Sequence, residues 1–130
     1  MKNVVRIAIM ALASFASCIA LAADVAQIKP EALLVRSAKH DGSLIILDVR
    51  TPEEFAEGHV PGAVNIPHDQ LADRIGELAN AKDKDIVLYC RGGKRAALAA
   101  ETLSSHGFEK LLHLEGDMQK WTEAKRPIEK

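Results

Sequence analysis

A cysteine between a short apolar run and a glycine-rich loop constrains this chain more than any other feature. Cys90 follows the apolar run 86–89 and begins the loop 90–95, which reads C-R-G-G-K-R and leads into an Ala-rich segment that ends before Gly107. Four apolar residues in a row are typical of a buried strand, and the Ala-rich segment is typical of a helix. The sequence therefore predicts Cys90 at the carboxyl end of a strand, on a loop that enters a helix N-terminus.

This loop has the composition of an anion-binding turn. Its two glycines let the backbone turn tightly, so that successive N–H groups point towards one centre. The helix dipole and the neighbouring cations favour the thiolate, which is the nucleophilic form of Cys90. A lone cysteine at a strand end is otherwise a small buried apolar residue, and the loop composition argues against that interpretation. The residues that we expect to bind substrate are Arg91, Gly92, Gly93, Lys94 and Arg95.

Short apolar segments alternate with helical segments through the rest of the chain. This alternation is typical of α/β architecture with a mainly parallel sheet covered on both faces. Ligands of such sheets bind outside the carboxyl ends of the strands, where we expect Cys90, Asp48 and Arg50. The predicted strands cover about 25–28, 44–47, 63–64, 86–89 and 110–114, and the predicted helices about 30–39, 52–56, 69–78, 96–106 and 117–124.

Three segments, in this order along the chain, resemble the motifs of the rhodanese family of sulfurtransferases. They are D-V-R-T-P-E-E-F-A-E-G-H-V-P-G-A-V-N-I-P at 48–67, C-R-G-G-K-R at 90–95 and L-E-G-D-M-Q-K-W at 114–121. The third departs from the family pattern at Asp117, where a second glycine is usual. Because Asp adopts left-handed backbone angles more readily than most residues, we expect no change of fold there. The resemblance covers about residues 26–128.

The resemblance implies a three-layer α/β/α sandwich around a five-stranded, mainly parallel sheet, present as one rhodanese-like module. It also implies that Cys90 takes a sulfane sulfur from thiosulfate or a related persulfide donor and passes it, through a persulfide, to cyanide or a thiol. In the family pattern Asp48 and Arg50 support the pocket; the alternative is a solvated ion pair. We expect Arg95 to brace the loop from the first helical turn.

The sequence predicts that no metal or organic cofactor takes part. The five histidines show no metal-ligand spacing, and His59 in the G-H-V-P-G segment is expected to make a structural hydrogen bond. We expect the protein to be a monomer.

Two other functions fit parts of the pattern. Cysteine-dependent phosphatases have a related loop that is one residue longer, usually with His before the cysteine. Here four residues separate Cys90 from Arg95 and Tyr89 precedes the cysteine, so the smaller loop suits one sulfur atom better than a phosphoryl group. The second alternative is a non-turnover periplasmic sulfur carrier or partner-docking module. The sequence does not separate a carrier from an enzyme, since both use the same persulfide.

The first 23 residues have the pattern of a secretory signal peptide. Lys2 and Arg6 precede the uncharged run 7–23, and Ala20-Leu21-Ala22 fits a small-x-small cleavage site. The run is shorter than the roughly 20 residues that a membrane-spanning helix needs. We therefore expect cleavage after this segment and export to the periplasm. A lipoprotein anchored through Cys18 and an uncleaved N-terminal anchor are the alternatives.

Cleavage would leave residues 24–130 as a single rhodanese-like domain. It removes two basic residues and no acidic ones, so 15 Lys and Arg face 18 Asp and Glu, a net charge of −3. This balance argues against nucleic acid as a partner. Cys90 would be the one remaining cysteine, which excludes an intramolecular disulfide and favours a reactive thiol.

Overall fold

The structure, a computed structural model, describes residues 25–130. The predicted signal peptide and Cys18 lie outside the described residues, so cleavage and its alternatives stay predictions. The strands are β1 (Ala26–Ile28), β2 (Leu44–Asp48), β3 (Val64–Asn65), β4 (Asp85–Tyr89) and β5 (Leu111–Leu114). The helices are α1 (Pro30–Ala38), α2 (Pro52–Glu57), a 3₁₀ helix (Ile75–Ala81), α3 (Lys94–Ser105) and α4 (Asp117–Glu123). Among the described residues, we find no helix with the length and apolar character needed to cross a membrane.

The five strands of this region form one parallel sheet in the order β1-β5-β4-β2-β3. β4, which leads into Cys90, is the central strand. Asp48 pairs in register with Tyr89, so β2 and β4 end side by side. The predicted five-stranded, mainly parallel sheet is confirmed, and it brings Asp48 and Arg50 to the same edge as Cys90.

Apolar side chains alternate between the two faces of the sheet because successive strand residues point to opposite sides. In β4, Ile86 and Leu88 join a buried cluster beneath α3 and the 3₁₀ helix, whereas Val87 and Tyr89 join a second cluster beneath α1 and α4. Trp121 of α4 is fully buried in the second cluster. The sheet therefore lies between two helical layers, and the predicted three-layer sandwich is confirmed.

One predicted helix is wrong. Instead of an α-helix over about 69–78, turns occupy 68–74 and a 3₁₀ helix follows at Ile75–Ala81. Its buried residues Leu78 and Ala81 are three positions apart, which suits a helix with three residues per turn. The other predicted elements begin and end within two residues of the observed ones.

Candidate active site

Cys90 lies at the carboxyl end of the central strand, on a four-residue loop that ends where α3 begins. The residue is 1% exposed, and the Gly93 N–H donates to its Sγ at 3.0 Å. Gly93 has a φ of 111°, and a Cβ at this position would lie 3.2 Å from Asp117 Oδ2. Both the backbone conformation and the available space therefore require glycine here.

Within residues 90–95, four backbone N–H groups donate to no acceptor among residues 25–130. They belong to Arg91, Gly92, Lys94 and Arg95. Unpaired N–H groups on a tight turn at a helix N-terminus form a binding site for an anion, and the helix dipole adds to it. The loop can therefore stabilise negative charge that develops close to Cys90.

Arg95 is held by a carboxylate from α2. Its Nη1 and Nη2 donate to Glu54 Oε1 and Oε2 at 2.6 and 3.0 Å. These bonds to Arg95 lower the pKa of Glu54 to about 2. Glu54 also closes the capping box of α2 with Thr51. The guanidinium thus joins the start of α3 to α2, an arrangement that agrees with a bracing role for Arg95.

Arg91 and Lys94 are placed differently from Arg95. Both side chains are exposed, and neither lies within ion-pair distance of a carboxylate in the described region. Within residues 25–130 no carboxylate neutralises these two charges, which are therefore available to an anionic substrate at the loop.

Asp48, Arg50 and Tyr89 form a buried polar network behind the loop. Arg50 Nη2 donates to Asp48 Oδ2 at 2.6 Å and to the Gly58 carbonyl at 2.8 Å, and its Nε donates to Asp48 Oδ1 at 3.0 Å. The Tyr89 hydroxyl donates to Asp48 Oδ2 at 2.7 Å and accepts the Val60 N–H at 3.0 Å. Burial, reinforced by the Asp48 carboxylate, raises the pKa of Tyr89 well above its usual value. The ion pair between Asp48 and Arg50 is therefore buried, and the alternative of a solvated ion pair is wrong.

His59 stabilises the G-H-V-P-G segment. Its Nδ1 donates to the Phe55 carbonyl at 2.9 Å, and its ring stacks on Phe55 at a centroid distance of 3.6 Å. The predicted structural hydrogen bond is confirmed.

Asp117 contacts the cysteine loop directly. It has a φ of 52°, in the left-handed region expected from the sequence, and is 2% exposed. Its Oδ1 accepts the Cys90 N–H at 3.0 Å, and His113 Nε2 lies 2.9 Å from both carboxylate oxygens. The next N–H groups of α4, from Met118 and Gln119, donate to the Cys90 and Arg91 carbonyls. The start of α4 therefore binds both the backbone N–H and the backbone carbonyl of Cys90.

Three contributors to this site were missed by the sequence analysis. Glu54 belongs to an acidic helix face that looks solvated, His113 carries no local motif, and Tyr89 served only to distinguish two loop types. Asp117 stood out as a departure from the glycine pattern, and that departure was the one signal for its position. The predicted residues Cys90 to Arg95 lie together at one end of the sheet, with Asp48 and Arg50 behind them; their functional roles stay predictions.

Comparison with known proteins gives a consistent family. The family model for the rhodanese-like domain matches residues 31–124 of this chain. A sulfurtransferase of Allochromatium vinosum is 36% identical over 102 residues, which cover 78% of this chain and 92% of that protein. YrkF of Bacillus subtilis, named as a candidate sulfur carrier, is 42% identical over 82 residues, which cover 63% of this chain and 43% of that protein. The chain therefore spans less than half of the length of YrkF. A rhodanese-related protein of Thermoplasma volcanium superposes with a TM-score of 0.68 at 30% identity, covering 80% of this chain and 97% of that structure.

Proposed function

Since the chain belongs to the rhodanese-like domain family, we propose that it is a thiosulfate sulfurtransferase that works through a persulfide on Cys90. It transfers the outer sulfur of thiosulfate, or of a related persulfide donor, to cyanide or a thiol. The observation that carries this proposal is the position of Cys90 on an anion-binding loop at the end of the central strand. The similarity to the sulfurtransferase of A. vinosum supports the reaction class.

In the first step the Cys90 thiolate attacks the outer sulfur of thiosulfate. A bond forms between the two sulfur atoms, and sulfite leaves with the electron pair of the broken bond. The enzyme keeps a persulfide anion. The unpaired N–H groups of the loop stabilise this charge in the way that an oxyanion hole stabilises an oxygen anion.

In the second step an acceptor attacks the outer sulfur of the persulfide. Cyanide leaves as thiocyanate, a thiolate leaves as a new persulfide, and Cys90 returns to the thiolate in both cases. Arg91 and Lys94 attract the sulfonate of the donor because no carboxylate in the described region neutralises them. Arg95, bound to Glu54, holds the loop in shape.

A sulfur carrier is the second candidate, and the similarity to YrkF favours it. A carrier would hold the same persulfide on Cys90 and deliver it to one partner, without turning over thiosulfate and cyanide.

Intact mass spectrometry before and after addition of thiosulfate tests the proposal. We expect the protein to gain the mass of one sulfur atom and to lose it on addition of cyanide, with thiocyanate formed over many cycles. Loading without repeated turnover would favour the carrier.

The Cys90→Ser and Cys18→Ser variants provide the matched comparison. Cys90→Ser should take up no sulfur and keep its fold, because a serine hydroxyl also accepts the Gly93 N–H that now reaches Sγ. In the chain that retains residues 1–23, Cys18→Ser should load sulfur as the unmodified chain does. Thiocyanate formation by folded Cys90→Ser protein would remove Cys90 from the mechanism.

A further inference from the structure

Asp117 and His113 form a polar pair that the sulfur-transfer steps above do not use. The Asp117 side chain is 3% exposed and the His113 side chain 23%. A buried carboxylate is unfavourable unless donors compensate its charge, and here the donors are the Cys90 N–H and His113 Nε2. Because a carboxylate only accepts, Nε2 carries the proton of this bond.

The pair lies close enough to act on the Cys90 sulfur. Bond lengths keep Sγ within about 4 Å of its own backbone nitrogen, and the carboxylate therefore within roughly 7 Å of the sulfur. The second carboxylate oxygen faces Gly93, whose N–H donates to the same sulfur. Charges at this separation, largely out of water, are only weakly screened by salt.

The neighbouring elements present few other ionisable groups to His113. Its strand partners are Gln27 of β1 and Leu88 of β4, which do not titrate. Asp117 is the acidic residue within 4 Å of its ring in the described region. The titratable groups of the adjoining loop and first turn of α3 are Cys90, Arg91, Lys94 and Arg95.

We propose that Asp117 and His113 are positioning residues that couple the charge of the His113 ring to the reactivity of the Cys90 sulfur. Asp117 holds the Cys90 amide and places a negative charge near the sulfur, which disfavours the thiolate. A protonated His113 neutralises that charge and favours the thiolate. The pair therefore adds a second protonation step to the chemistry of the cysteine loop, at the position where the rhodanese pattern usually has glycine. This inference rests on the proposed role of Cys90 as nucleophile.

Alkylation of Cys90 by iodoacetamide measures this coupling without sulfur transfer. The full chain is labelled over a range of pH, and the rate is read from the tryptic peptide Asp85–Arg91, which excludes Cys18. The reagent is uncharged, so Arg91 and Lys94 do not attract it. Each profile is divided by its own alkaline plateau, because the plateau reports access to the sulfur and the lower limb reports the thiolate fraction.

His113→Gln keeps a donor towards Asp117 but cannot take up a proton. We expect its normalised rate to fall about fivefold below that of the unmodified chain on the acidic limb, the lower end of typical coupling between two sites. His106→Gln, at the far end of α3, should superpose on the unmodified chain.

Asp117→Asn keeps an acceptor for the Cys90 N–H and removes the charge. Its normalised rate should lie above that of the unmodified chain, opposite in direction to His113→Gln. A merely structural role would move both variants in the same direction, and that result would overturn the proposal. Superposition of His113→Gln on the unmodified chain would also overturn it, and this variant decides alone if Asp117→Asn does not fold. Failure of thiosulfate to load Cys90 would instead count against the proposed function and leave the alkylation result unaffected.

Discussion

At the scale of single residues, the Tyr89 hydroxyl connects three parts of the site. Tyr89 precedes Cys90 in the chain, and its hydroxyl donates to Asp48 and accepts from the Val60 N–H in the G-H-V-P-G segment. Its raised pKa keeps it a neutral hydroxyl, which can donate and accept at the same time. The side chain before Cys90 therefore connects β4, β2 and the loop after α2.

We expect Tyr89→Phe to lower the free energy of unfolding by about 1–3 kcal/mol, since it leaves a buried N–H of Val60 without an acceptor. Urea unfolding followed by circular dichroism measures the change. Ser105→Ala, which removes an exposed hydroxyl on α3, should change stability by less than about 0.5 kcal/mol. Equal effects of the two substitutions would contradict the role assigned to the Tyr89 hydroxyl.

The exposed loop cations Arg91 and Lys94 should affect the use of anionic and neutral sulfur donors differently. Arg91→Ala or Lys94→Ala should reduce kcat/KM for thiosulfate roughly tenfold to a hundredfold, the value of one charge-assisted contact of about 1.5–3 kcal/mol. A neutral persulfide donor should be much less affected. Lys39→Ala, at the opposite edge of the sheet, is the control and should change neither rate. Equal losses with both donors would argue against sulfonate binding by these residues.

At the scale of elements, one ion pair joins two helices that are far apart in sequence. Glu54 of α2 and Arg95 of α3 are 41 residues apart and form two short hydrogen bonds. The pair fixes the first turn of α3, which directly follows the cysteine loop. Its contribution should depend on pH because the pKa of Glu54 is lowered from 4.5 to about 2.

Glu54→Gln should lower the free energy of unfolding by about 1 kcal/mol at neutral pH, the upper end for a partly exposed pair. A carboxylate with a lowered folded-state pKa stabilises the fold above its unfolded pKa, and this contribution is lost as the pH falls through the folded pKa. The difference between the two proteins should therefore be constant above about pH 5 and disappear towards pH 2.

Glu53→Gln provides the matched control, because Glu53 is the exposed neighbour on the same helix and has no ion pair in the described region. It should change stability much less at every pH. A pH-independent deficit of Glu54→Gln would mean that the ion pair is not the source of the effect.

At the scale of the whole molecule, residues 25–130 contain the complete three-layer fold and the candidate site. Within the described residues, the two apolar clusters cover opposite faces of the sheet. We therefore propose that residues 24–130 act as one domain and that residues 1–23 serve export.

Fractionation of a Gram-negative host with N-terminal sequencing tests this proposal. A protein that starts at Ala23 or Asp24 in the soluble periplasmic fraction is the expected result, because the uncharged run is too short to favour a permanent span. A blocked start at Cys18 in the membrane fraction would identify a lipoprotein. An intact Met1 in that fraction would identify an anchor.

The sequence by itself determined the order of the elements and the place of Cys90 among them. Apolar periodicity and glycine positions are local signals that extend over a few residues. The strand, the loop and the helix around Cys90 were therefore predictable from residues adjacent to them in the chain. The resemblance to the family motifs added the prediction of the three-layer sandwich and of a supporting role for Asp48 and Arg50. The 3₁₀ helix at Ile75–Ala81 was not predicted, because its short apolar spacing also fits an α-helix.

Only the tertiary structure decided which side chains meet at the loop. Glu54 and its neighbour Glu53 are alike in the sequence, and contact with Arg95 distinguishes them. Asp117 reaches the Cys90 N–H across 27 residues, and Tyr89 reaches Asp48 across 41. Such partners are selected by strand order and register, which place distant residues within hydrogen-bond distance and leave no periodic signal in the chain.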